Sequence, residues 1–129
     1  MIDLDLQALV DRYQAVAPDA LRVVLAYDGD EKQVVYVRDD VRKVYSGEEF
    51  ERKTQQLVIE GISDPPAQAG LRRYGRIDVV IRRFEEAIVF HYPVDEFTGV
   101  AVAVDRIDLP PVGELADVGT DHLSRVTGQ

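Results

Sequence analysis

Five arginines stand within residues 71–83, at Arg72, Arg73, Arg76, Arg82 and Arg83, against a single acid, Asp78. A guanidinium is a planar fork of donors that fits carboxylate and phosphate oxygens two at a time, and Tyr74 adds an aromatic face for stacking. The window also reverses the sign of its background, because the whole chain has 15 Lys+Arg against 24 Asp+Glu and a formal net charge of −9. Arg72, Arg73, Tyr74, Arg76, Arg82 and Arg83 are therefore the candidate anion- or partner-binding residues. The competing reading pairs these arginines with acids of a neighbouring strand, such as Glu85 and Glu86, or with a second subunit.

Metal chemistry has one weak foothold. The histidines are His91 and His122, too far apart in sequence for a paired ligand motif. His91 with Asp95 and Glu96 is the weak candidate for a metal site; the alternative is an imidazole hydrogen-bonded to a neighbour. Asp28-Gly29-Asp30-Glu31 gathers acid in a turn but lacks the spacing and bidentate glutamate of a calcium loop. With no cysteine in the chain, disulfides, thiolate nucleophiles and sulfur-bound zinc are excluded. Neither glycine-rich phosphate loop is present, and Ser46, Ser63 and Ser124 stand in no Gly-x-Ser-x-Gly elbow. The expectation is a chain without catalytic residues or cofactor.

The charge balance speaks first to the solvent. Twelve of the basic residues are arginines, and Lys32, Lys43 and Lys53 are the lysines. Acid excess, scarce lysine and no cysteine fit a protein of concentrated salt. There a hydrated carboxylate surface resists association, and ions screen its self-repulsion. Phosphate contacts weaken steeply as salt rises, which argues against nucleic acid as partner. The first residues, Met1 to Asp5, carry acid where a signal peptide needs base. No run approaches the roughly 18 apolar residues that span a bilayer. A cytoplasmic location without a membrane partner is expected.

The elements that must position these residues follow from periodicity. Leu6, Leu9, Val10, Tyr13 and Val16 or Ala17 recur at helical spacing, with Asp3 or Asp5 as N-cap and Pro18 as stop. Leu21, Val23, Leu25 and Tyr27 alternate as a strand, a turn follows at Asp28 to Lys32, and Gln33 to Arg38 returns as a hairpin. Ser46-Gly47-Glu48-Glu49 reads as a capping box with Tyr45 and Phe50 as its staple, and opens a helix that runs to Ser63-Asp64-Pro65-Pro66. From Tyr74 the period becomes two. Ile77, Val79 and Ile81 share a face, Phe84-Glu85-Glu86 turns, Ala87 to Tyr92 returns, and Thr98 to Asp105 forms a last strand. Residues 109–129 are expected as a weakly structured tail or a short docked helix, outside a single α+β domain over 1–108.

The order α-β-β-α-β-β-β, with hairpin-length links, predicts one antiparallel sheet of about five strands with helices packed on it. That order resembles roadblock and longin-type domains, and more loosely PAS and GAF sensor modules. Val35-Tyr36-Val37-Arg38-Asp39-Asp40-Val41 with Tyr45-Ser46 resembles a block of small uncharacterised haloarchaeal proteins. Tyr74-Gly75, Arg83-Phe84-Glu85, Val89 to Pro93 and Gly99-Val100 resemble their second block. The resemblance covers roughly residues 20–108 and implies a habitat, with no assigned activity. Val80, Ala101 and Ala103 put apolar groups on the second strand face, so both sheet faces are covered or one face or edge meets a partner. The expectation is a non-enzymatic partner-binding or scaffolding domain that forms a homodimer. The alternatives are a small-ligand sensor of the PAS or GAF type and, remotely, a metal-dependent enzyme using His91.

Overall fold

The computed structural model describes residues 4–29, 31–44, 47–63, 74–107 and 109–128. The elements are α1 (Leu6–Val16), β1 (Leu21–Asp28), β2 (Glu31–Val37), α2 (Asp39–Val44), α3 (Gly47–Ser63), β3 (Val80–Arg83), β4 (Ala87–Pro93), β5 (Thr98–Asp105) and α4 (Val112–Thr127). The strands form one five-stranded sheet in the order β2-β1-β5-β4-β3, and every neighbouring pair is antiparallel. The α+β class and the predicted element order stand, with α2 and α4 as further helices.

Alternation along the central strands separates two cores. Val24, Ala26, Ile88, Phe90, Tyr92, Val100, Val102 and Val104 meet α1 and α4 on one face. Val23, Leu25, Tyr27, Val89, Ala101 and Ala103 meet Val41 of α2 and Val58 of α3 on the other. Helix α1 buries Leu6, Leu9, Val10 and Tyr13, the stripe that its spacing demands. Asp5 takes the expected N-cap position of α1 with a left-handed backbone, φ 48°, and makes no side-chain capping bond; the alternative, Asp3, lies outside the described residues. Tyr45, Ser46, Pro65 and Pro66, the expected cap, staple and stop around α3, also lie outside them.

Glycines let two tyrosines close these cores. A Cβ at Gly99 would stand 2.4 Å from the Tyr27 hydroxyl oxygen, and one at Gly119 would stand 2.1 Å from Tyr92 Cζ. Tyr92 therefore fits under α4 only because Gly119 has no side chain. Its hydroxyl meets that of Tyr13 in the core, and Tyr13 donates to the Leu115 carbonyl at 3.0 Å.

Strand β3 is shorter than the alternation from Tyr74 predicts, and proline explains the difference. Phe84 N–H bonds the Ala87 carbonyl at 2.8 Å, so the ladder's hydrogen-bonded pairs recur at Arg82–Val89 and Val80–His91. The next would join Asp78 to Pro93, which has no N–H to give. The ladder ends at Val80, and residues 75–79 form no strand.

Candidate functional site

Among the described residues the arginine window divides between the two faces of the sheet. Arg72 and Arg73 lie outside the described residues, and Tyr74 stands 81% exposed before Gly75, whose φ is 97°. Arg76 and Asp78 line an open cleft of about 410 Å³ together with Thr120, Ser124 and Thr127 of α4. The Asp78 carboxylate in the same cleft opposes an anionic guest. Directly paired strand residues share a face, so Arg82, opposite Val89, lies on the α3 side, while Arg83, opposite Ile88, lies on the α1/α4 side.

Arg82 reaches His91. Its guanidinium nitrogen is 3.1 Å from Nδ1, and Nε2 of the same ring is 3.0 Å from the Leu57 carbonyl oxygen of α3. A guanidinium only donates, so Nδ1 accepts and Nε2–H donates to Leu57. His91, 1% exposed, thereby ties edge strand β3 to α3 through β4. Asp95 and Glu96 lie exposed in the β4–β5 turn, where the Asp95 carboxylate accepts from the Phe97 and Thr98 amides. Among the described residues no three His, Asp or Glu groups gather as a metal set.

The two sheet edges differ in how they are guarded. Strand β2 carries a register shift opposite Val24/Leu25, and its Lys32 is bound to α3 through Thr54 Oγ1 at 2.5 Å and the Glu51 carboxylate at 2.9 Å. Bulges and tied charges blunt an edge. Strand β3 pairs with β4 in unbroken register. Since Phe84, Arg82 and Val80 turn their backbone groups toward β4, Ile81 and Arg83 turn theirs outward. Apolar surface accompanies this open edge: Ile81 is 40% exposed and Phe84 48%, with Ile77 also exposed. Proximity in sequence groups the arginines, and the expectation of a face or edge that meets a partner does not by itself single out this edge. Period-two parity was the signal available, since it already separates Arg82 from Arg83.

The other end of the sheet is closed by a charge cluster with a structural role. Asp105 of β5 accepts from Arg38 at 2.6 Å and from Arg22 at 2.8 Å, while Arg38 also donates to Asp40 and to the Asp19 carbonyl. Burial pushes the Asp105 carboxyl upward, but the bonds from Arg38 and Arg22 outweigh it and leave the net shift downward.

Between the sheet and its α1/α4 layer, Tyr13, Phe90 and Tyr92 fill the interior, with Phe90 and Tyr92 stacked at 6.4 Å. That is where a sensor module of the PAS or GAF type would hold its ligand.

No curated protein sequence matches the chain. Among solved structures, the Roadblock/LC7 domain from Streptomyces avermitilis is similar at 14% identity and a TM-score of 0.53, covering 89% of this chain and 91% of that one. MglC from Myxococcus xanthus is similar at 9% identity and a TM-score of 0.52, covering 94% and 98%. At such identities the likeness shows the fold, which is that of roadblock/LC7 domains. Over residues 7–124 the sequence matches one family throughout, and the chain belongs to that family, the domain of unknown function DUF7522.

Proposed function

We propose that this protein is a non-enzymatic partner-binding domain that associates with a second copy of itself through the open edge of β3. One observation carries the reading: among the described residues nothing pairs with the outward backbone donors and acceptors of Ile81 and Arg83, along an unbulged edge flanked by exposed Ile81 and Phe84. Such an edge is a template for strand addition, and a strand of the same sequence satisfies it symmetrically. The roadblock/LC7 fold of its structural neighbours is compatible with this reading.

The medium belongs to the same proposal. A formal charge of −9 with three lysines suits concentrated salt inside a cell, where long-range attraction is screened and short-range apolar and backbone contacts decide association. No helix among the described residues is long and apolar enough to cross a membrane.

The test is Ile81→Pro with sedimentation or light scattering at micromolar protein in high salt. Ile81 points its N–H away from β4, so proline there removes no bond of the monomer's ladder but blocks an added strand. The expected result is a dimer for the natural chain and a folded monomer for the variant. A natural chain that is strictly monomeric, or a variant that dimerises equally well, refutes the reading.

A further inference from the structure

Resting on that reading of the β3 edge, we infer the register in which two copies meet: Ile81 lies opposite the second copy's Ile81, and Val80 lies opposite its Arg82. The argument starts from symmetry. A two-fold axis perpendicular to the sheet keeps each face on its own side, and directly opposed residues of an antiparallel pair share a face. Ile81 and Arg83 occupy one face of β3, and Val80 and Arg82 the other. Only registers with one residue opposite its own copy are allowed, so the axis passes at Val80, Ile81, Arg82 or Arg83.

Charge removes two of these. An axis at Arg82 sets two guanidinium-bearing residues directly opposite each other, at the closer spacing of a non-hydrogen-bonded pair. Each Arg82 is held at 3.1 Å to His91 of its own chain, so neither can splay away without giving up that bond. An axis at Arg83 opposes like charges again and slides the strands toward the turn at residues 85–86. Extent removes a third. An axis at Val80 lays most of β3 against residues 77–79, which are not strand.

The axis at Ile81 meets every condition. The outward N–H and C=O of Ile81 bond their symmetry mates as a hydrogen-bonded pair, and the two exposed isoleucine side chains cover each other. Each Arg82 lies over a valine, along which its aliphatic stem can pack. Each Arg83 comes opposite Val79, which is half-buried immediately before the strand. The arginines thus select a register rather than block the edge.

The experiment is an isotope-filtered nuclear Overhauser measurement on a homodimer mixed from labelled and unlabelled natural chain, which needs no substitution at the interface. Opposed residues of a non-hydrogen-bonded pair bring their Hα atoms together. The expected result is an intermolecular cross-peak between Val80 Hα and Arg82 Hα. A cross-peak from Arg82 Hα to the second copy's Arg82 Hα, or from Val80 Hα to the second copy's Val80 Hα, overturns the register while leaving self-association through β3 standing. A dimer with no cross-peak from β3 overturns both, and sedimentation of the same sample as a monomer does the same by removing the dimer.

Discussion

Arg82 donates to Nδ1 of His91 across 3.1 Å, from one strand to the next, beneath a helix whose Leu57 carbonyl takes the other ring nitrogen. The pair fixes a proton position as well as a contact, since a donor-only guanidinium leaves Nδ1 as acceptor. The prediction is a neutral His91 ring carrying its proton on Nε2 at neutral pH, read from the two ring ¹⁵N shifts. A ring protonated on Nδ1 would show that Arg82 does not hold it. His91→Ala leaves the Leu57 carbonyl and Arg82 without this partner in a buried place, at a cost of about 2–3 kcal/mol in denaturant unfolding.

Much of this arrangement is legible in the sequence. The apolar stripe Leu6, Leu9, Val10, Tyr13 and the alternation through Val100, Val102 and Val104 each carry several buried residues at one period. Elements with little burial were not legible. Helix α2 buries only Val41 and so leaves no periodic trace. Helix α4, by contrast, is well buried and was expected only as one of two alternatives, because its stripe of Leu115, Ala116, Gly119, His122 and Leu123 is interrupted by a glycine that the Tyr92 ring lying against it explains. The start of β3 departs from the expectation because Ile77, Val79 and Ile81 alternate without a break. The limit is set by Pro93 on the neighbouring strand, a long-range condition that no local period contains. The link between Arg82 and His91 was within reach, since a turn at residues 85–86 puts both on the α3 face.

The two core tyrosines make the fold sensitive to alkali. Burial raises the Tyr13 hydroxyl far above its ordinary value, with Tyr92 beside it adding to the rise, and burial likewise raises Tyr92. In the unfolded chain both ionise near pH 10. Their contribution to stability is therefore complete below about pH 10 and is lost as pH climbs toward the folded values. Tyrosinate absorbance should show these two hydroxyls ionising only as far-ultraviolet dichroism collapses. In Tyr92→Phe the link from Tyr13 is gone, and a loss of about 1–2 kcal/mol at neutral pH is expected. Ionisation of Tyr13 and Tyr92 with the fold intact would contradict their burial.

Acid acts at the opposite end of the sheet. The net depression of the Asp105 carboxyl below its ordinary 3.8 comes from Arg38 and Arg22 overcoming the cost of burial. A depressed carboxylate stabilises fully above its unfolded value, so this contribution persists at neutral pH and disappears as pH falls below about 4. Asp105→Asn should cost about 2 kcal/mol at pH 7, because its charge-assisted bonds to both Arg38 and Arg22 are weakened at once. The gap between variant and natural chain should narrow as unfolding is measured toward pH 3. A gap that is constant over that range would mean the arginines do not sense the charge.

Salt decides between two opposing electrostatic effects. The net charge of −9 favours expansion, and screening it stabilises the fold. Surface pairs such as Arg12–Asp121 and Arg125–Asp121 act the other way, since salt weakens them, but exposed pairs contribute only about 0–1 kcal/mol each. Repulsion among many uncompensated acids should outweigh a few such pairs. The midpoint of thermal unfolding is expected to rise as potassium chloride goes from about 0.1 M to about 1 M, over which the Debye length shrinks from about 10 Å to about 3 Å. Sodium chloride should act equally, because screening depends on ionic strength rather than on the cation. Replacing exposed Glu48, Glu49 and Glu114 by glutamine should flatten the dependence, as fewer charges are left to screen. A midpoint that stays level or falls with salt would make the ion pairs dominant, and the acid excess would then no longer argue for a salt-rich medium.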